Sequence, residues 1–228
     1  MKKSDEKHLR FAVLAADVAL MTVRDGVLLT RLSPVHRPLF FKNMMGLPGG
    51  LIDPKETAED AVKRIIKDKG VIDSKQVYIE QLYTFSEIDR DPRGRVVAVT
   101  YIALVPWESL STEEQNGETN ARWASVREIK NLAYDHDHML EVALLRLKSR
   151  ARYTTIISKL MPSEFTLTEL ERVYESILKT DLDKRNFRKK ILKLKVLTPL
   201  KRKREGGAFR PAELYRFSSP KVTDIEVL

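Results

Sequence analysis

Apolar residues dominate the stretch from Phe11 to Val23, with only modest alternation, and return at Val27-Leu28-Leu29. Between the two runs stands Arg24-Asp25-Gly26, and Asp-Gly flanked by apolar segments predicts a β-hairpin. A loop is expected from Leu32 to Met45. It continues through Gly46-Leu47-Pro48-Gly49-Gly50, where glycine and proline disfavour regular structure. The period then becomes helical: Ala58, Ala61, Val62, Ile65 and Ile66 predict a helix over Thr57 to Lys69, which Gly70 can stop. Val77 to Phe85 and Val96 to Val105 read as strands around the turn-rich Asp89-Arg90-Asp91-Pro92-Arg93-Gly94. Asn120 to Ala124 reads as a short strand around Trp123, and Val126 to Leu132 as a short helix. From His136 to about Leu160 the pattern is helical again, until Met161-Pro162-Ser163 breaks it.

The remaining segment predicts helix, helix, hairpin. Thr166-Leu167-Thr168-Glu169 is a capping box, with Phe165 as its apolar staple, opening a helix to about Lys179. Asp183 is an N-cap for a helix from Lys184 to Leu194, on which Phe187, Ile191 and Leu194 form an inward stripe. Val196-Leu197, the basic run Lys201 to Arg204, a turn at Gly206-Gly207 and the alternating Ala212 to Phe217 complete the hairpin. Strands mixed with one or two helices make the first part α+β. We assign residues 1–150 to it and 151–228 to a second unit, the helical pattern that joins them ending near Met161-Pro162-Ser163.

Composition narrows the classes. The chain lacks cysteine, which excludes disulfides, thiolate metal sites and a cysteine nucleophile. Asp17, Arg24 and Asp25 interrupt the longest apolar stretch, so no spanning helix is expected, and the polar first residues lead into no signal-peptide core. A cytoplasmic protein with no membrane partner is the expectation. Charge adds a direction. Residues 151–228 carry 18 Lys and Arg against 10 Asp and Glu, so eight of the nine excess positive charges lie in the last third. Residues 184–204 alone hold 11 basic side chains and no acidic one. Such asymmetry points to a polyanion partner.

Gly50, Glu56 and Arg64 are spaced as in the Nudix signature, Gly-x5-Glu-x7-Arg-Glu-U-x-Glu-Glu-x-Gly-U, with U aliphatic, and Leu47-Pro48-Gly49-Gly50 precedes them. Residues 10–148 thus resemble Nudix proteins of the ADP-ribose pyrophosphatase type. The segment Asp91-Pro92-Arg93-Gly94-Arg95-Val96-Val97 and the strand around Trp123 share the likeness. The resemblance implies an αβα sandwich with a mixed sheet. It also implies clustered glutamates one, four and five positions after the arginine, on one helical face, holding Mg²⁺ or Mn²⁺. Here those positions read Ile65, Asp68 and Lys69, and Gly70 comes one residue early. The expectation is a pocket without catalytic residues and without a required cofactor, lined by Gly49, Gly50, Arg64, Arg90, Arg93 and Arg95. Arginines at these positions suit phosphate groups. The alternative is an Mg²⁺-dependent hydrolase of ADP-ribose or another nucleoside diphosphate derivative, its site rebuilt from Asp68, Glu56 and loop carboxylates. His136 and His138 do not read as a metal pair, because alternate residues at a helix start diverge.

The last segment resembles a winged helix-turn-helix. Lys184, Arg185, Asn186, Arg188 and Lys189 are the candidate recognition residues, and Lys201, Arg202, Lys203 and Arg204 the wing contacts. Leu182-Asp183-Lys184-Arg185-Asn186-Phe187-Arg188, Arg210-Pro211-Ala212-Glu213-Leu214-Tyr215-Arg216-Phe217 and Tyr134-Asp135-His136 are similar to one bacterial group. It is the Nudix-related transcriptional regulators, which include repressors of NAD metabolism. That resemblance implies a homodimer on double-stranded DNA with an inverted-repeat operator, released by a small-molecule effector. ADP-ribose is the effector in one branch and a sugar such as arabinose in another. An RNA-processing Nudix protein shares the charge signal but would show aromatic stacking residues, of which the basic segment has no run.

Overall fold

The computed structural model describes residues 11–37, 39–70, 72–116, 121–204 and 211–225. The expected turn at Gly206-Gly207, the start of the expected strand at Asn120, and Arg210 lie outside the described residues. Strand β1 (Val13–Arg24) turns back at once into β2 (Val27–Pro34). Asp25 and Gly26 take φ of 50° and 76°, the doubly left-handed turn that suits the twist of two hairpin strands. Two short strands, β3 (Met45–Gly46) and β4 (Gly49–Leu51), form where the glycine-proline segment predicts only loop. β3 pairs with the end of β2, and β4 with Ala15 to Asp17 of β1. These pairings are long-range, so local composition does not announce them. Helix α1 (Ala58–Asp68) follows, capped by the Thr57 hydroxyl on the Asp60 amide at 3.1 Å.

Strands β5 (Tyr78–Phe85) and β6 (Val96–Leu104) pair antiparallel, while β6 runs parallel to β1 at the centre of the sheet. A short helix, α2 (Thr112–Asn116), precedes β7 (Arg122–Ser125), which pairs with β2. The mixed sheet of seven strands runs β3-β2-β1-β6-β5 along its main path. β1 is apolar on both faces because both are covered. Ala16, Val18 and Leu20 meet Ala61, Val62, Ile65 and Ile66 of α1. Ala15, Ala19 and Met21 join Met139, Leu140, Ala143 and Leu147 of α3 (His136–Tyr153) in the other core. The expected αβα sandwich is therefore the observed one.

Two helical expectations are corrected. Val126 to Leu132 is a turn followed by irregular chain, with Asn131 left-handed at φ 58°, starting where β7 ends and leading to the start of α3. Helix α3 stops at Tyr153 instead of Leu160: Thr154 is extended and bridges Asp224, and a short 3₁₀ turn over Ile156–Lys159 continues the chain.

The remaining elements are β8 (Phe165–Thr166), α4 (Leu167–Leu178), α5 (Lys184–Lys193), β9 (Leu197–Arg204) and β10 (Ala212–Phe217). The capping box forms in both directions. The Thr166 hydroxyl accepts from the Glu169 amide at 3.2 Å, and Glu169 accepts from the Thr166 amide at 2.8 Å. Phe165 is more than a staple, since β8 adds a third strand beside β10 and β9. Phe187 and Ile191 of α5 are buried against α4, with the Phe187 ring 5.2 Å from Tyr174. This is a winged helix. One apolar core runs without a break from the sheet and α3 through Ile156, Ile157 and Leu160 into α4 and α5. The β1–β2 hairpin lies directly on α4, where the Leu28 amide donates to the buried Ser176 hydroxyl at 3.0 Å.

Candidate ligand cavity and nucleic-acid interface

A cavity of about 430 Å³ opens where β1, the β2–β3 loop, β4, the end of α1 and the loops before β6 and α3 converge. That volume falls within the range of small-molecule sites. Its floor is Asp17, the one charged side chain in the middle of β1. The Asp17 carboxylate lies 3.8 Å from both His136 Nε2 and Arg90 Nη2. A side chain at position 49 would collide with this carboxylate, so only glycine lets β4 approach β1 there. His136 Nδ1 accepts from the Leu47 amide at 2.9 Å, which leaves the ring proton on Nε2, toward Asp17. Burial pushes the Asp17 carboxyl up, against the pull of His136 and Arg90, and pushes the His136 imidazole down. His136 thus serves helix-start packing, while His138 faces Glu141 and the Phe85 ring; the two do not converge.

Of the six residues expected in the pocket, the cavity lining brings together Gly49, Gly50, Arg90 and Arg93. Arg90 is buried and makes a two-pronged pair with Asp135 at 2.9 and 2.7 Å. Arg93 pairs with Asp91 at 2.9 and 2.6 Å and holds that carboxyl below its usual range. Arg64 and Arg95 stand outside the lining. Arg64 clasps Glu56 and the Leu51 carbonyl, whereas Arg95 donates to the Ser86 and Glu87 carbonyls at 2.7 and 3.0 Å. Both close loops around the cavity. The lining also contains residues not singled out as ligand contacts, among them Asp17, Arg37, Tyr134 and His136. Asp17 did leave a trace in the sequence, as a lone acid inside an apolar strand. Arg37, in a loop, left none.

The α1 face that borders Gly50 carries Ile65 and Lys69. Were a Cβ present at position 50, the Ile65 side chain and Lys69 Nζ would each lie 3.7 Å from it. Ile65 is buried in the α1 core, and Lys69 Nζ donates to the Gly49 carbonyl. An aliphatic group and an ammonium therefore occupy the helical face that a carboxylate pair would need, and a divalent cation does not fit there. Of the two α1-side carboxylates that could rebuild such a site, Asp68 lines the cavity and Glu56 does not. Glu56 is taken up by Arg64 and by the Asp53 amide at 2.9 Å. Among the described residues no group of three His, Asp or Glu side chains is placed to hold a metal.

On the winged helix, α5 presents Lys184, Arg185, Asn186, Lys189, Lys190 and Lys193 to solvent. Arg188 differs. It donates to the Thr168 hydroxyl at 2.9 Å and lies 3.7 Å from Glu171, a carboxylate on α4 that is only 2% exposed. Lys184 stands 4.0 Å from the same carboxylate. On the wing, Lys201 and Lys203 are exposed, while Arg202 and Arg204 pair with Glu164 and Glu169. The nine basic or polar residues expected to meet DNA are thus placed on one helix and one strand, with four of them within ion-pair distance of a carboxylate. No helix among the described residues is long and apolar enough to cross a membrane.

A NUDIX domain matches residues 12–143, and an NrtR DNA-binding winged helix domain matches residues 157–217. The chain is 33% identical over 213 residues to the ADPR responsive transcriptional repressor NtrR of Acinetobacter baylyi, across 90% of this chain and 82% of that protein. The crystal structure of Shewanella oneidensis NrtR complexed with a 27mer DNA is similar with a TM-score of 0.78 at 30% identity, covering 90% of this chain and 93% of that one. The NUDIX domain of the Shewanella oneidensis protein complexed with ADP ribose gives a TM-score of 0.53 at 31% identity, covering 64% of this chain and 94% of that one. Fold, domain order and likeness along nearly the whole chain agree: this protein belongs to the NrtR family, a NUDIX domain continued into a DNA-binding winged helix.

Proposed function

We propose that the chain is a transcriptional repressor that binds an inverted-repeat operator as a homodimer and releases it when ADP-ribose enters the NUDIX cavity. The observation that carries this reading is the pairing of two features in one continuous core. One is a cavity of ligand size to which α1 contributes Asp68 and Lys69, with Ile65 buried behind them; the other is an exposed helix of basic residues. The family relatives, one ADPR-responsive and one complexed with DNA, support both halves. Residues 1–150 form the sensing unit and residues 151–228 the DNA-binding unit. Gly49, Gly50, Arg90 and Arg93 border the effector, with Arg64 and Arg95 shaping the loops that hold it. Lys184, Arg185, Asn186 and Lys189 read and grip the major groove. Arg188 is aimed by Glu171, Lys201 and Lys203 follow a phosphate backbone, and Arg202 and Arg204 brace the wing. The cavity binds without hydrolysing, and no metal cofactor is required, since Ile65 and Lys69 leave no carboxylate pair for one. Regulation of genes makes this a protein of the cell interior.

An electrophoretic shift assay on a duplex carrying the operator tests the scheme. Arg185→Ala with Lys189→Ala removes two exposed cationic side chains and should weaken operator binding by at least tenfold, at about 1–3 kcal/mol for each side chain that reads a base. ADP-ribose binding should stay unchanged, and the salt dependence should become shallower by about one unit of slope for each phosphate that α5 no longer neutralises. Undiminished operator affinity in that variant contradicts the assignment of α5. In parallel, ADP-ribose should dissociate the wild-type complex where arabinose does not, and AMP release with Mg²⁺ or Mn²⁺ should stay at background. Turnover at ordinary enzymatic rates would instead make the chain a hydrolase.

A further inference from the structure

Four cationic side chains line the cavity: Arg37, Lys69, Arg90 and Arg93. They are not equivalent. Arg90 is held by Asp135 and faces Asp17, and Arg93 is held by Asp91 in a two-pronged pair. An entering anion would have to displace those carboxylates. Lys69 and Arg37 each hold a backbone carbonyl instead: Lys69 Nζ donates to Gly49 O, and Arg37 Nη1 to His36 O at 2.8 Å. Among the described residues neither has a carboxylate within ion-pair distance. An ammonium has three N–H bonds and a guanidinium five, so both keep donors to spare.

Their placement adds a second argument. Lys69 closes α1 at its C-cap and Arg37 sits in the loop after β2, so the two reach the cavity from different walls beside the open backbone of Gly49 and Gly50. One carboxylate and three other cations act on the Lys69 ammonium. Desolvation lowers its pKa first; Asp17 opposes this, and Arg37, Arg64 and Arg93 lower it further. A cluster of cations that repel one another across a cavity is relieved by a ligand anion.

We propose that Lys69 and Arg37 form a metal-free clamp for the diphosphate of the ligand, the fixed ammonium supplying the neutralising charge that a divalent cation would bring. The inference rests on the reading of the cavity as an ADP-ribose site. It makes binding independent of divalent metal, and it makes the residue that blocks metal chemistry the one that secures the ligand. Lys69 and Arg37 are binding residues, with no bond made or broken.

Calorimetric titration of the full chain with ADP-ribose, in EDTA and in Mg²⁺, tests it on the wild type and on Lys69→Met, Lys69→Arg and Arg37→Gln. The wild type should bind equally well in both buffers. Lys69→Met and Arg37→Gln should each lose about tenfold to a hundredfold in affinity, as expected for a charge-assisted hydrogen bond, whereas Lys69→Arg should stay within a few fold. Unfolding temperature and operator affinity in the absence of ligand report that the variants are folded. Arg37→Gln, in an exposed loop, leaves the α1 core intact whatever Lys69→Met does. Wild-type affinity in both charge-removing variants, or abolition of wild-type binding by EDTA, overturns the clamp alone. Failure of the wild type to bind ADP-ribose in either buffer overturns the effector reading itself, and the clamp with it.

Discussion

His136 shows what one residue does at the junction of the cavity and the core. It opens α3, accepts the Leu47 amide on Nδ1 and turns its Nε2 toward Asp17. Burial lowers its pKa from the ordinary 6.5, so below that pH the unfolded chain takes up the proton before the folded one does. Its contribution to stability is complete above about pH 6.5 and is lost as pH falls through the window beneath. Asp17 acts in the opposite sense, because its raised value lets the folded chain take a proton first above 3.8. His136→Gln keeps an acceptor for Leu47 but does not titrate. The variant should show a flatter fall in urea midpoint between pH 7 and 5.5 than the wild type, and a parallel fall in the two proteins refutes the linkage. At this scale spacing along one helix was legible as far as placing Ile65 and Lys69 together beside Gly50. The sequence was silent on Arg37 and the role of Asp17, since a cavity assembled from two strands and three loops has no local spacing to read.

Elements were more legible than the residues between them. The Asp25-Gly26 turn, the capping box at Thr166 and the inward stripe of α5 each rest on a rule acting within one or two turns of chain, and each formed. Val126 to Leu132 did not become a helix. Gly46, Gly49 and Gly50 joined short strands on either side of Leu47-Pro48, because pairing with β2 and β1 overrode local preference there. The α4–α5 contact holds one further irregularity. Tyr174 packs on Phe187, yet among the described residues its buried hydroxyl has no hydrogen-bond partner, and burial drives its pKa far up. Tyr174→Phe removes the orphaned hydroxyl and keeps the ring. Such a change avoids the desolvation cost of an unsatisfied polar group, about 1–3 kcal/mol at most. The variant should therefore melt at the same temperature as the wild type or higher. A clear fall in its midpoint would mean that the hydroxyl has a partner in solution.

For the molecule as a whole, the two-unit organisation was readable from the change in charge and pattern, but the continuity of the core was not. Leu28 and Ser176 meet although 148 residues separate them, and nothing near either one in sequence announces it. A shared core predicts shared unfolding. Calorimetry should show one cooperative transition for the full chain, and ADP-ribose should move all of it upward, as a ligand that binds only the folded state must. Two resolved transitions, only one of them moved by ligand, would separate the units thermodynamically.

Strand β2 gives this union a further consequence. One end of it, Ser33 and Pro34, borders the cavity, with the Ser33 hydroxyl on the Lys69 carbonyl at 2.9 Å, and the other end rests on α4. The winged helix is consequently not a portable cassette. A chimera that grafts residues 151–228 onto a foreign sensor would need a matching hairpin to seat α4, and the β1–β2 hairpin of this chain is the natural piece to carry along with it.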